Sequence, residues 1–190
     1  IEPTAGGPVD PYGAGKRAAR VRFETALAVQ DASVITLLLP QILALDDPSA
    51  RESRYVTDAR ELGAAWVPGS GSQRPCVVTA EDAADIAWRC ALRAQQPVEA
   101  ASAEPAAVRT FQVAAETQPD LTALVRALLS GAGLPPVVRP HPDPAWRGPH
   151  SGADEMVDGS ALRAWLPGLR FADLVEAHVA LGRALASAAG

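Results

Sequence analysis

Tyr12 and Lys16 are the residues of this sequence whose types and spacing most directly predict chemistry. They lie four residues apart in an Ala- and Arg-rich stretch that favours a helix, and a helix would place both side chains on one face. A free tyrosine has a pKa of about 10, and a neighbouring positive charge favours its phenolate form. The pair is therefore a candidate for proton transfer near neutral pH. The alternative is a surface tyrosine beside a solvated lysine.

The composition sets limits on the kind of protein that could carry such a pair. The chain has 190 residues, of which 48% are hydrophobic, 21% charged and 5% aromatic, so its core must consist mainly of Ala, Leu and Val. This length fits one domain or part of a larger one. The formal net charge of -5 argues against nucleic acid or an acidic membrane as a partner. No apolar run approaches the roughly 20 residues of a membrane span.

The two cysteines and the first residues indicate the compartment and the completeness of the chain. Cys76 and Cys90 have no metal-ligand spacing, so we interpret them as reduced thiols of a cytoplasmic protein. The polar, Pro- and Gly-containing start does not resemble a signal peptide. Because the chain begins with Ile1 rather than Met, we interpret it as a processed or partial product.

The elements that would position Tyr12 and Lys16 alternate between helices and short strands, which favours an α/β fold. The patterns predict helices over residues 12–30, 81–94, 120–129, 160–166 and 171–186, and strands over residues 33–39, 76–78, 109–114 and 137–139. They predict loops over residues 1–11, 40–58, 67–74 and 140–154. The first strand is a continuous apolar run, as expected for a buried strand of a parallel sheet.

Two nucleotide-binding motifs partly match the residues around Tyr12 and Lys16, but neither meets all of its requirements. Residues 13–18 fit Gly-x-Gly-x-x-Ala literally, but no predicted strand precedes them, as a dinucleotide-binding turn requires. A Walker loop needs Ser or Thr after Gly-Lys, where this chain has Arg17. Neither pattern therefore predicts a phosphate site here.

The histidines have more ordinary interpretations than metal binding. His141, Asp143, His150 and Asp154 cluster in the Pro-rich loop, but their irregular spacing favours a polar substrate loop over a metal site. His178 lies in the last predicted helix, where we expect a partly buried structural histidine. The sequence thus predicts no metal ligands.

Residues 11–19, which read PYGAGKRAA, resemble the catalytic helix of the extended short-chain dehydrogenase/reductase family, the NAD-dependent epimerase/dehydratase group. The resemblance continues in order along the chain. It includes residues 34–44, 69–85, 108–129 and 158–163. It covers nearly all of this chain, but only the C-terminal half of the family's chains.

The resemblance implies a role for each matching residue. Tyr12 would be the catalytic acid/base and would also contact the cofactor, and Lys16 would hold the nicotinamide ribose and favour the phenolate. Pro40 would sit near the nicotinamide of NAD or NADP, with Gln41 near the substrate. Arg74 matches an arginine that meets the phosphates of a nucleotide sugar, and its planar fork suits bidentate contact. A surface arginine is the alternative.

Some residues depart from the family's pattern. The family commonly has Arg where this chain has Leu38, Asn where it has Gln41, and Tyr-Gly where it has Leu43-Ala44. These differences are compatible with a substrate that is smaller than a nucleotide sugar or of a different kind. The Gly-rich dinucleotide turn and the third catalytic residue, a Ser or Thr, would lie upstream, and Thr4 is too close to Tyr12 to replace the latter.

These observations predict the C-terminal half of a Rossmann-type parallel sheet with a small substrate-binding lobe. Residues 1–100 would belong to the Rossmann-type part and residues 101–190 to the lobe. The resemblance implies NAD or NADP, a small substrate such as a nucleotide sugar, a homo- or hetero-oligomer, and a nucleotide-binding half from another polypeptide or from further sequence. The alternatives are a non-catalytic truncated paralogue, acting as a scaffold or regulatory subunit, and a stand-alone small-molecule binding domain.

Overall fold

The computed structural model describes residues 11–28, 34–95, 108–143, 145–146, 148–150, 155 and 157–188. Helices and short strands alternate along them, which confirms the predicted α/β class. The helices are α1 Pro11–Ala28, α2 Arg51–Leu62, α3 Ala80–Ala94, α4 Leu121–Gly131, α5 Ser160–Trp165 and α6 Leu174–Ala188. The strands are β1 Val34–Leu38, β2 Gln41–Leu43, β3 Ala65–Val67, β4 Val77–Thr79, β5 Val108–Gln112 and β6 Val138–Pro140.

The strands form three parallel pairs, each joining strands that are distant in the chain. β1 pairs with β5, β2 with β4, and β3 with β6. Between β1 and β2 the chain changes partner: Leu38 O accepts from Val113 N at 3.1 Å, whereas Gln41 N donates to Cys76 O at 3.1 Å. Pro40, which has no backbone N–H, lies at this change. The two strands on either side of it therefore belong to different pairs.

The core consists of two clusters of buried aliphatic and aromatic side chains. The larger lies among α2, α4, α6 and β3, and the smaller among α3, α5, β4 and β5. α4 and α6 approach backbone to backbone: a Cβ on Gly131 would lie 2.1 Å from Val179 O, and one on Gly182 would lie 2.1 Å from Leu128 O. Glycine is required at both positions because any side chain would separate the helices.

Local sequence signals account for two of the helix starts. Thr79 accepts a hydrogen bond from Asp82 N at 3.0 Å and caps α3. Asp120 accepts one from Ala123 N at 2.7 Å and caps α4. Both caps satisfy backbone donors that a helix leaves unpaired at its first turn. The predictions of these two helices are confirmed within one or two residues at each end.

The predicted loop over residues 40–58 is wrong, because β2 and α2 occupy much of it. α2 is a mainly polar helix whose buried face consists of Glu52, Tyr55 and Val56. A face with a buried carboxyl group does not produce the apolar periodicity that indicates a helix. β3 was also missed, since three residues are too few to form a pattern.

Some predictions fall on residues outside the described part of the chain. They include the predicted loop over residues 1–10, the end of the first predicted helix and the start of the first predicted strand within residues 29–33, and the domain boundary near residue 100. The division into residues 1–100 and 101–190 therefore stays a prediction. Within the described residues, no helix is both long and apolar enough to cross a membrane.

Candidate functional site

A cleft of about 290 Å³ opens where β1 gives way to β2. Its described lining residues are Leu38, Leu39, Pro40, Gln41, Cys76, Gln112, Val113, Glu155 and Val157. β1 and β5 are parallel and end together at Leu38 and Gln112, so the cleft lies at the carboxyl ends of two strands. Open parallel sheets bind their ligands at this edge. Pro40 and Gln41, predicted from the sequence as cofactor and substrate contacts, thus lie in one cleft.

Gln41 and Glu155 form the polar pair of this cleft. Gln41 Nε2 donates to Glu155 Oε2 at 3.0 Å. This contact orients the amide, because a carboxylate accepts hydrogen bonds and would repel the amide oxygen. The other amide atom, Gln41 Oε1, is buried and has no hydrogen-bond partner among the described residues.

Glu155 is positioned by its own backbone. Its N–H donates to Arg74 O at 3.0 Å, which joins the segment after β6 to the turn before β4. The Arg74 side chain is exposed and is not among the described lining residues. Its predicted contact with substrate phosphates therefore stays a prediction.

Cys76 lines the same cleft, where its carbonyl oxygen accepts from Gln41 N, and it is almost fully buried. Burial raises the pKa of its thiol to about 11, and the negative charge of Glu155 contributes in the same direction. Cys76 is therefore a neutral thiol at physiological pH. A thiolate nucleophile is not part of this site's chemistry, since nucleophilic cysteines have lowered pKa values.

Tyr12 and Lys16 lie one turn apart in α1, as their spacing predicts. α1 contacts β1, the strand that leads to the cleft. The Tyr12 side chain lies outside the described part of the structure, so its pairing with Lys16 stays a prediction. Residues 13–18 lie inside α1, and a continuous helix cannot form the tight glycine turn of a dinucleotide site.

A second polar cluster lies in the interior, between α2 and the loop after β6. His150 Nδ1 lies 3.0 Å from Tyr55 Oη, and the two rings stack with their centroids 5.7 Å apart. His150 Nε2 lies 3.7 Å from Glu52 Oε1, which is too long for a hydrogen bond. The three residues are 1–5% exposed. None of them lines the cleft.

Burial determines the charge state of this cluster. It lowers the pKa of His150 to about 4, with the positive charge of Arg51 acting in the same direction, so the ring is neutral at pH 7. It also raises the pKa of Glu52. A buried charge is unfavourable without a close partner, and the 3.7 Å separation does not provide one.

The two histidines of the predicted substrate loop pack against aromatic rings of the protein. His141 stacks on Trp146 at 4.4 Å and accepts from Asp143 N at 3.1 Å. His150 is buried and does not line the cleft, and the substrate role of this loop stays a prediction. His178 is buried, with Nδ1 2.6 Å from Leu174 O, which confirms its structural interpretation. Asp154 lies outside the described residues, and those described contain no group of three metal-ligating side chains.

Sequence reasoning missed Glu155 and Cys76 as parts of the site. Glu155 meets Gln41 across 114 positions of the chain, and no local pattern marks such a contact. Cys76 was considered only for its spacing to Cys90, whereas its place beside Gln41 depends on the pairing of β2 with β4.

Several solved structures have a fold similar to that of this chain, at low sequence identity. No family model matches the sequence, and no curated protein matches it. UDP-N-acetylglucosamine 4-epimerase from Bacillus cereus is 11% identical with a TM-score of 0.69, over 97% of this chain and 58% of that one. UDP-glucose 4-epimerase from Bifidobacterium longum is 14% identical with a TM-score of 0.65, over 98% and 57%. UDP-glucuronic acid 4-epimerase from Bacillus cereus is 13% identical with a TM-score of 0.67, over 99% and 56%.

The chain spans somewhat more than half the length of these solved structures. This share is consistent with the C-terminal half that the sequence resemblance indicated. At these identities the likeness concerns the fold. The chain therefore shares the Rossmann-like fold of these nucleotide-sugar epimerases, over somewhat more than half of their length.

Proposed function

We propose that this chain is part of an NAD- or NADP-dependent enzyme that acts on a nucleotide sugar or another small hydroxy or keto substrate. The cleft at Pro40 and Gln41 carries this proposal, because it lies at the carboxyl ends of β1 and β5 in a fold shared with nucleotide-sugar epimerases. The Bifidobacterium longum neighbour was solved with NAD+ and UDP, and the Bacillus cereus UDP-glucuronic acid enzyme with UDP-glucuronic acid and NAD.

The described residues fit one side of a nicotinamide site. Leu38, Pro40 and Val113 give the cleft an apolar wall, against which a flat ring would lie. A pyrophosphate cradle needs a strand, a glycine turn and a helix N-terminus in succession. Another polypeptide or further sequence would supply that cradle. NAD(P), when bound, supplies hydride transfer at the substrate carbon.

Tyr12 moves the proton in this proposal. Its phenolate removes a proton from the substrate hydroxyl during oxidation, and its phenol returns one to the carbonyl oxygen during reduction. The ammonium group of Lys16, one turn away, favours the phenolate electrostatically and holds the nicotinamide ribose. Arg74 contacts the phosphates of a nucleotide sugar. Epimerase, dehydratase and ketone reductase outcomes share this proton step, so the reaction class stays open among isomerase, lyase and oxidoreductase.

The partner and the location belong to the same proposal. The nucleotide-binding half comes from a separate subunit, a proteolytic partner or further sequence of the same protein, and the assembly is a homo- or hetero-oligomer in the cytoplasm. Mass spectrometry of the purified native assembly, intact and after denaturation, tests this. A second polypeptide with bound NAD(P) supports it, whereas a monodisperse 19.7 kDa chain without nucleotide favours a stand-alone binding domain.

The alternative function is a non-catalytic paralogue that acts as a scaffold or regulatory subunit of an intact enzyme. The departures at Leu38, Gln41 and Leu43-Ala44 favour it, because they change positions at or beside the cleft.

Tyr12→Phe in the complete assembly separates the two functions. Loss of one general acid/base should lower turnover by about 10²-fold or more. Tyr55→Phe is the matched control, since it removes the same hydroxyl group from a tyrosine outside the cleft. Unchanged turnover in Tyr12→Phe would reject the catalytic assignment and leave the scaffold.

A further inference from the structure

The described lining of the cleft at Gln41 carries negative charge and no positive charge. Among its described lining residues, Glu155 is the one with a charged side chain. The others are aliphatic side chains, a proline, a neutral thiol and two amides. Arg74, whose carbonyl oxygen holds the Glu155 backbone, has an exposed side chain that is not part of this lining. A ligand group that enters the cleft therefore meets one carboxylate.

The Gln41 amide adds a second acceptor. Its N–H₂ group donates to Glu155, so its oxygen is the atom left over, and that oxygen is buried without a partner among the described residues. Buried acceptors in native proteins are nearly always paired, and an unpaired one favours the arrival of a donor. The buried atom of this pair that has no partner among the described residues, Gln41 Oε1, is an acceptor, and so is the Glu155 carboxylate beside it. The second N–H of Gln41 Nε2 is the one donor left in the pair.

We propose that Gln41 and Glu155 make this cleft selective for substrate groups that donate hydrogen bonds, such as hydroxyl or ammonium groups, and against carboxylates. This inference rests on the proposed function, and it assigns the chemistry of the substrate group that enters the cleft. A hydroxyl group donates to Gln41 Oε1 or to Glu155. A carboxylate offers no donor and would lie beside a like charge in a partly buried site, which is unfavourable. The same negative charge contributes to the raised pKa of Cys76 in the same cleft.

The test compares two ligands that differ at one carbon. UDP-glucose carries a hydroxymethyl group where UDP-glucuronic acid carries a carboxylate, and UDP alone reports the contribution of the nucleotide. Isothermal titration calorimetry is performed on the chain with any polypeptide that copurifies. UDP-glucose should bind about tenfold or more tightly than UDP-glucuronic acid, because like charges in a partly buried site repel.

Three variants assign the selectivity. Glu155→Gln keeps the size of the side chain and removes its charge, so it should reduce the preference to about threefold or less. Glu61→Gln, an exposed carboxyl group on α2, is the matched control and should leave the preference unchanged. Gln41→Leu removes the amide acceptor and should weaken UDP-glucose binding toward that of UDP alone. Urea unfolding of each variant verifies that it folds.

The outcomes separate this inference from the proposed function. Equal binding of both sugar nucleotides, tighter binding of UDP-glucuronic acid, or a preference that Glu155→Gln leaves intact overturns the inference while the function stands. Binding of none of the three ligands overturns the nucleotide-sugar function, and the inference with it.

Discussion

The Gln41–Glu155 pair and the Glu52–Tyr55–His150 cluster use similar groups in different surroundings. Each joins the first half of the chain to the segment after β6, and each contains a buried oxygen without a partner among the described residues, at Gln41 and at Glu52. The pair lines a cleft, whereas the cluster is 1–5% exposed. An unpaired buried acceptor is therefore not a sign of recognition by itself, and access for a ligand makes the difference.

The largest expected effect tests whether the cluster is structural. His150→Ala should lower the free energy of unfolding by about 3 kcal/mol, because it leaves a cavity and removes the partner of the Tyr55 hydroxyl. Urea unfolding measures this. His141→Ala, at a half-buried ring after the same strand, is the control and should cost about 1 kcal/mol. Equal losses in the free energy of unfolding would mean that His150 contributes no more to stability than the half-buried His141.

The pH dependence of stability also tests whether the Glu52–Tyr55–His150 cluster is buried, unlike the Gln41–Glu155 pair at the cleft. The pKa of His150 is lowered to about 4 in the folded state, while the unfolded value is about 6.5. The stabilisation from keeping this ring neutral is fully present above pH 6.5 and is lost as the pH falls toward 4. The stability advantage of the wild type over His150→Gln should therefore shrink by about 2 kcal/mol from pH 7 to pH 5.

Comparison with a variant is needed because neighbouring groups titrate as well. Burial lowers the pKa of His178, which adds to the loss at low pH. Burial raises the pKa of Glu52, which acts in the opposite direction. Both groups remain in His150→Gln, so the difference between the two unfolding curves isolates His150. A difference that stays constant with pH would contradict the buried neutral ring.

The smallest expected effect concerns the cleft. Glu155→Gln should change the free energy of unfolding by no more than about 0.5 kcal/mol, because the Glu155 side chain is half-buried at an open cleft and its backbone bond to Arg74 remains. Thermal or urea unfolding measures this. A loss as large as that of His150→Ala would make the pair a structural element like the cluster.

Much of the fold could be predicted from local signals. Thr79 and Asp120 cap helices that the structure confirms, and the apolar run before Pro40 forms the strand β1. The prediction that this strand is buried throughout is wrong, because Val34 is buried and residues 35–38 are partly exposed. α2 could not be predicted, because its buried face includes the carboxyl group of Glu52, which lies near His150, far along the chain.

The site was less accessible to prediction than the fold. Pro40 and Gln41 were found through the family resemblance, and the structure places both in one cleft. Glu155 could not be found, since its contact with Gln41 depends on how distant segments pack. Tyr12 and Lys16 rest on spacing and resemblance, and Arg74 has an exposed side chain whose role the fold does not decide.

The backbone bond that holds Glu155 has a consequence for evolution. Because its N–H donates to Arg74 O, the backbone at position 155 keeps this bond with any side chain other than proline. One base change converts a Glu codon into a Gln or a Lys codon. Descendants of this chain could thus exchange a negative group at the cleft for a neutral or a positive one in a single mutational step, without rebuilding the sheet beneath it.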